Sequence, residues 1–358
     1  MSLTSLLREF GDKDKVNVDY HNHIQLRSLP KKKPKTWKDK VRNFFQGKSF
    51  YGLPELLDRI RKSNLDILCV TGFNNVYSYE AWTSPEQLQE ARDMGYEVER
   101  GEYFTFFKKD GIVKALAKSH EIATTRGHVL LSLIKQDKKF SVRKSLEETL
   151  AEANDNELKG ADHSFVKLRG QNGVLATSTN LAEDAEIIDY AEVNGNFDKP
   201  FSPNTKKVLA FASEYDKPVV YNSDEHSPRG ITKRKRRNYN IFDSRNLRYT
   251  SERDFRDSMI EAVRNKEFAH NYHPNPLFRV LHHGLMIGVD YILNKIKRKQ
   301  GIEIKTIRNE DRTYTPVMRT FGDYKPSEEQ ISRIKRMYNR LVERGTRMPS
   351  VRIVTYAS

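Results

Sequence analysis

Four histidines and two carboxylates in this chain have the spacing that metal chemistry needs. His21 and His23 form His-x-His at the end of VNVDYHNHI, a segment that reads as a strand over residues 16–24. Side chains at i and i+2 share one face of a strand. Two imidazoles on one face, with Asp19 just before them, make half of a metal site. Imidazole suits Zn²⁺, Fe and Mn²⁺, and carboxylates extend the choice to harder ions. A second constellation, Asn222-Ser223-Asp224-Glu225-His226, follows a short apolar run, and Asp224 and His226 again stand at i and i+2. Glu102 follows Gly101 and precedes Tyr103-Phe104-Thr105, and His128 opens the apolar run HVLLSLI. Each has an ordinary reading alone: a capping or surface His pair, a solvated carboxylate, a hydrogen-bonded edge histidine. Their shared placement at strand ends favours the metal reading, because parallel sheets build their sites at that edge.

The elements that must position them alternate. Leu53, Leu56, Leu57 and Ile60 have helical spacing, and Leu65 to Val70 is a short buried-strand run. Ser84-Pro85-Glu86 starts a helix over 84–95, a cap with Pro at the first position. Residues 111–123 read as a helix, 128–134 as a strand and 141–153 as a helix. Val174–Ala176, Ile187–Val193 and Pro218–Asn222 read as strands, with a helix at 206–215. Strands alternating with helices predict an α/β fold with a mostly parallel sheet. Beyond residue 245 the pattern turns helical, over 251–266, 277–299 and 327–344. This predicts two domains, 1–245 and a basic, mainly helical extension over 246–358.

The charge follows the same division. The 358 residues carry a net charge of +15. Residues 1–224 hold 34 Lys/Arg and 33 Asp/Glu, and residues 225–358 hold 29 and 15, so +14 of the excess lies in the last part. The densest run is Lys233-Arg234-Lys235-Arg236-Arg237, and Lys295, Lys297, Arg298 and Lys299 form another. Such asymmetry points to a polyanionic partner, DNA or RNA, against the plainer reading of a solubilising surface. One cysteine, Cys69, excludes a disulfide framework or a Cys-based zinc site within one chain. No run is long and apolar enough for a spanning helix, and the first residues do not read as a signal peptide. A reducing, cytoplasmic setting without a membrane partner is expected.

The order of motifs resembles the polymerase and histidinol phosphatase (PHP) family of metal-dependent phosphoesterases. VDYHNHI resembles its opening Asp-x-His-x-His, and GLPELLDRIRKSNLDILCVTGFN its helix and strand ending in Thr-Asp-His. GEYFT resembles Gly-x-Glu, RGHVLLSLI the Gly-His-Val-Leu strand, and IIDYAEVNGN the segment ending in Glu-x-x-Asn. VVYNSDEHSPRGI resembles the closing Ser-Asp-x-His, and YTSERDFRDSMIEAVRNKE the helix after it. The resemblance covers about residues 15–270, and its first and last motifs together are fairly specific. It implies a distorted (β/α)₇ barrel holding up to three metals. Carried over residue by residue, His21, His23, Glu102 and Asp224 complete one site. Glu102 bridges to a second site with His128, and His226 belongs to a third. Two ligands are replaced: Phe73 stands for the second-motif His, and Ala176-Thr177-Ser178 for Ala-His-Pro. Water, Asn74 or Thr177 would have to fill those gaps, so one or two ions of Zn, Mn or Fe are expected.

The chemistry implied is metal-assisted hydrolysis of a phosphate ester, nucleotides or nucleic acid being candidate substrates, with the cation polarising phosphoryl oxygens and activating water near neutral pH. His226 or His128, where not coordinated, is the candidate proton donor to the leaving group. Arg229, beside Pro228, is a candidate phosphate contact, alongside the run Lys233 to Arg237. The rival reading is a catalytically weakened PHP-like barrel that binds nucleic acid. A third, a ribonuclease P-type subunit, predicts RNA partners and no metal site, and the retained ligands oppose it.

Overall fold

A computed structural model describes residues 2–24, 52–74, 78–153, 157–167, 172–195, 203–225, 238–273, 302–308, 314–320 and 352–355. The chain divides into two compact units, residues 1–280 and 281–358.

In the first unit, helix α1 (Leu3–Gly11) leads into strand β1 (Lys15–Asp19), and α2 (Leu53–Arg61) into β2 (Ile67–Phe73). Two helices follow, α3 (Ser78–Trp82) and α4 (Pro85–Asp93), then an antiparallel run of β3 (Glu97–Arg100), β4 (Phe104–Lys109), β5 (Ile112–Ala123) and β6 (His128–Ile134). Helix α5 (Leu146–Ala153), β7 (Leu158–Ala161), a 3₁₀ turn (Val174–Thr177), α6 (Leu181–Ile187), β8 (Tyr190–Asn194), α7 (Pro203–Glu214) and β9 (Val219–Asn222) continue the chain. The unit ends with β10 (Tyr239–Asp243), α8 (Glu252–Arg264) and β11 (Phe268–Asn271).

The sheet order is β11-β10-β1-β2-β5-β6-β7-β8-β9, with β3 and β4 branching from β5. It is a nearly closed, barrel-like sheet in an α/β setting. Pairings β1–β2, β2–β5, β7–β8 and β8–β9 are parallel, while β6 is antiparallel to both neighbours. That reversal matters for the site. The first residue of β6 lies at the rim where its neighbours end.

Alternation sorts the side chains. Ile67 and Cys69 of β2, Ala115 and Ala117 of β5, Leu130, Leu158, Tyr190 and Val220 belong to one buried cluster with Leu6, Leu7 and Phe10 of α1 and Phe255, Met259 and Val263 of α8. Leu68 and Val70 pack with α2, α3 and α4, and Val129, Leu131, Ala191 and Val193 with α5 and α7. A strand that is buried on both faces reads as a continuous apolar run, as Leu65 to Val70 did.

Four expectations change here. The sheet is not mostly parallel, since six of its ten pairings among the described strands are antiparallel. Residues 112–123 form a strand, not a helix. Its Ala, Leu and Lys residues favour helix intrinsically, but β2 pairs along one side of it and β4 and then β6 along the other. Val174–Ala176 is a 3₁₀ turn rather than a strand. The expected boundary near residue 245 falls inside the first unit, because Phe255, Met259 and Val263 bury one face of α8 in the barrel cluster.

The described residues of the second unit form a three-stranded sheet, β12 (Ile302–Arg308), β13 (Tyr314–Thr320) and β14 (Arg352–Thr355). β12 and β13 are antiparallel, and β13 and β14 parallel. The helices expected over 277–299 and 327–344 lie outside the described residues, as do the Lys233–Arg237 and Lys295–Lys299 runs. No helix among the described residues is long and apolar enough to cross a membrane.

Candidate metal centre

The strand ends converge on one buried cluster of imidazoles and carboxylates. His21 and His23 lie just past β1, in a segment tied down by two neighbours. The amide of His23 donates to the Glu225 carbonyl (3.1 Å), and the amide of Thr71 to the Asn22 carbonyl (2.8 Å). Their Nε2 atoms come within 2.9 Å of each other. Asp224 Oδ1 stands 3.6 Å from His21 Nε2 and 3.8 Å from His23 Nε2. The sequence pairing of His21, His23 and Asp224 is therefore a spatial one.

The carboxylate that joins them is Glu121, at the inward-facing end of β5. Its Oε2 lies 2.8 Å from His23 Nε2 and 3.9 Å from His21 Nε2. Its Oε1 lies 2.5 Å from His128 Nδ1 and 3.5 Å from His163 Nε2. Neither Glu121 Oε1 nor His128 Nδ1 has hydrogen-bond geometry despite that approach. A buried carboxylate oxygen and an imidazole nitrogen this close are donor atoms that suit a shared cation. Among the described residues, three groupings have ligand atoms within 4.8 Å of one another: His21, His23 and Glu121; Glu121, His128, Asp162 and His163; and His21, Asp162, His163 and Glu192.

Glu102, expected as the bridge, stands elsewhere. Its carboxylate pairs with Lys135 (2.9 Å) and Arg253 (3.6 Å) and is 34% exposed. The Gly-x-Glu motif has another use. Glu252, first residue of α8, accepts the main-chain N–H groups of Glu102, Tyr103 and Phe104 at 2.6, 2.9 and 2.7 Å. A Cβ on Gly101 would lie 2.3 Å from that carboxylate, so only glycine admits it.

His163 and Asp162 follow β7, and the sequence reading did not single them out. His163 brings a further imidazole to Glu121 Oε1 and to the ring of His128. The two residues proposed to fill gaps are engaged otherwise. Asn74 Oδ1 accepts the Ala123 amide (2.9 Å), and Thr177 Oγ1 donates to the Arg126 carbonyl (2.5 Å). Phe73 packs edge-on against His128, ring centroids 5.4 Å apart. His226, Arg229 and Lys233, Arg234, Lys235, Arg236 and Arg237 lie outside the described residues.

Three of the eight non-glycine residues with positive φ among the described residues stand at this rim. Asn74, His163 and Asp224 have φ of 51°, 46° and 47°, the left-handed region. Each such residue costs about 1–3 kcal/mol and persists only where its surroundings fix it. Segment 172–174 fixes His163 and His128. The His128 amide donates to the Asn172 carbonyl (2.9 Å), and Gly173 lies where a Cβ would meet the His163 carbonyl at 2.6 Å.

Glu192, on β8, orients rather than crowds. Its Oε1 accepts His21 Nδ1 (2.8 Å) and Asn222 Nδ2 (2.9 Å), and its Oε2 accepts the His163 amide (3.1 Å) and Asn194 Nδ2 (3.1 Å). A carboxylate on one ring nitrogen directs the other nitrogen at a metal. In this arrangement His21 Nε2 faces His23, Asp224 and Glu121.

The electrostatics call for positive charge. Burial lowers the His21 pKa, but Glu192, Asp224 and Glu121 overcome it and push it up to about 10. Burial alone would raise the Glu121 carboxyl, yet the imidazoles of His128, His163 and His23 hold it well below the usual range. Glu192 is held at about 2, His21 outweighing burial. Asp162 is raised by burial and then by Glu121 and Glu192. Among the described residues, the cationic side chains facing Glu121, Asp162 and Glu192 are histidines. Protons or a metal ion must therefore balance the cluster, and its nitrogen and oxygen donors fit a borderline or hard divalent cation.

No protein-family model matches the chain, and no curated protein matches it. Among solved structures, PsfC from Pseudomonas syringae PB-5123 is similar, with a TM-score of 0.49 and 17% identity, covering 77% of this chain and 100% of that one. The chemistry of the site rests on its own residues.

Proposed function

We propose that this protein is a metal-dependent hydrolase of phosphate esters of the PHP type, with the buried cluster as its centre. The observation that carries the reading is Glu121. Its two oxygens face separate histidine pairs, His21 with His23 and His128 with His163. That is how a carboxylate is shared between two cations. Asp224 would complete the first position and Asp162 would adjoin the second. Cations held there would act as Lewis acids on a phosphoryl oxygen and supply hydroxide near neutral pH. Glu192 holds His21 at Nδ1. His128 counts among the candidate ligands of the second position, which leaves His226 as our candidate proton donor to the leaving group. The barrel-like sheet, with the cluster at the rim where its parallel strands end, accords with this class of fold.

The test is metal content of protein purified without chelator, followed by a panel of phosphate mono- and diesters with Mn²⁺, Zn²⁺ or Fe²⁺. We expect bound metal, and hydrolysis that Glu121→Gln abolishes. Metal-free protein that stays inert under every loading would sink the proposal.

A second reading draws on a different observation. Residues 281–358 hold 16 Lys/Arg and 8 Asp/Glu, a net +8. That charge favours a polyanion such as DNA or RNA as partner, whether or not it is also the substrate.

A further inference from the structure

We infer that Asn222 is a positioning residue that sets both the main chain and the ring of His21, so that closure of the barrel seam and assembly of the metal centre are one event. The inference rests on the metal reading above. Among the described strands, β9 forms a ladder with β8 alone. Its other side, toward β1 and β10, is joined by asparagine side chains instead. Asn240 Oδ1 accepts the Tyr221 amide (3.0 Å), and its Nδ2 donates to the Tyr221 carbonyl (3.1 Å) and the Val18 carbonyl (3.4 Å). Asn238 Nδ2 donates to the Asn222 carbonyl (3.1 Å). All three asparagines are buried.

Asn222 differs from the other two in what its amide touches. Its Oδ1 accepts the amide of Tyr20 (3.1 Å), the residue just before His21. Its Nδ2 donates to Glu192 Oε1 (2.9 Å), the same oxygen that accepts His21 Nδ1. One side chain thus fixes the His21 backbone from one atom and, through Glu192, its imidazole from the other. It does so two residues before Asp224, which faces the same Nε2. Asn240 closes the seam and meets Asn222 Oδ1 only at a long 3.4 Å, without reaching Glu192, so it separates a structural role from a positioning one.

The experiment uses the full chain and Co²⁺ or Zn²⁺ as probe. Affinity is read by competition with a chromophoric chelator, and ligand geometry by the visible Co²⁺ spectrum. Asn222→Ala should weaken binding about 10–100-fold, the usual range for an outer partner of a ligand. Asn222→Asp keeps the size and the Tyr20 contact but presents an oxygen to Glu192, and should alter the Co²⁺ spectrum. Asn240→Ala should lower the melting temperature while leaving affinity within about threefold. In a Glu192→Gln background the Asn222→Ala effect should largely vanish, since coupled residues are not additive. Wild-type affinity and spectrum in both Asn222 variants, an equal affinity loss in Asn240→Ala, or full additivity with Glu192→Gln would each overturn the inference. If Asn222→Ala does not fold, the spectrum of Asn222→Asp decides. Failure of the wild-type chain to bind either ion would instead refute the metal reading itself.

Discussion

Ser223 Oγ donates to Asp19 Oδ2 at 2.6 Å, joining two motifs 204 residues apart in the chain. Asp19 Oδ1 also accepts the amides of Ser223 (3.2 Å) and His21 (3.3 Å). Asp19 is thus a clamp between the two ligand-bearing segments. It fixes Ser223 directly before Asp224, whose φ of 47° needs holding. Ser223→Ala should destabilise the protein by about 1–3 kcal/mol, the usual cost of stranding a buried acceptor, and should weaken metal binding. Urea denaturation and metal titration of the same variant check both.

The two glutamates assigned to the bridging role can be told apart directly. Glu121→Gln should remove most bound metal, because it takes a negative charge from between four imidazoles. Glu102→Gln should leave metal content unchanged and cost at most about 1 kcal/mol, since its ion pairs are exposed. Elemental analysis of both variants is enough. Equal metal loss would return Glu102 to the site.

His163→Ala should lower the metal stoichiometry more than it lowers stability, by opening the position shared with His128. Gly173→Ala should act in the same direction without touching a ligand, because its methyl would press on the His163 carbonyl, 2.6 Å from the ideal Cβ. Equilibrium dialysis against Mn²⁺ or Zn²⁺ measures both. An unchanged stoichiometry in His163→Ala would confine the metal to the His21 and His23 side.

The pH response should have opposite signs with and without metal. In the metal-free chain the His21 pKa is raised to about 10 from an unfolded value near 6.5. Its stabilising contribution is then full below pH 6.5 and disappears as the pH rises through about 10. Metal uptake at Nε2 must displace that proton. Calorimetric titration at pH 8 should therefore show an enthalpy that varies with the buffer's ionisation heat. Below about pH 6 the ligands protonate and metal is released, so activity should fall there. A buffer-independent enthalpy would show that His21 is already deprotonated.

Polyanion binding by the basic part of the chain should show a steep salt dependence. Affinity for duplex DNA should drop by about 0.9 log units per log unit of salt for each phosphate neutralised. A chain ending at residue 280 keeps the Lys233–Arg237 run but loses a net +8, and should lose a matching part of that slope. If it binds as tightly as the full chain, the charge of residues 281–358 only solubilises the protein.

Local chemistry made part of this site legible. His21, His23 and Asp224 stand at strand ends, where short-range spacing fixes which side chains share a face. The helix starts at Ser84 and Ser251 were equally local, and both helices formed, Ser251 alone capping through its side chain. Glu121 was hidden because KALAKSHEIA consists largely of helix-forming residues. Only pairing with β2, β4 and β6 makes it a strand and turns Glu121 inward. His163 was hidden because β7 has four residues, Leu-Lys-Gly-Ala, too few to show a period. Its Gly160 serves a distant ring, Tyr190, whose Cζ would lie 2.1 Å from a Cβ there. Glu102 misled because a Gly-x-Glu motif looks the same whether the glycine serves a metal ligand or admits the carboxylate of Glu252, 150 residues later. The sequence by itself determined that strands and helices alternate and that His21, His23, His128 and Asp224 stand at strand ends. The tertiary structure decided which carboxylate lies between the histidines and which imidazole joins His128, because both depend on strand pairings between segments far apart in the chain.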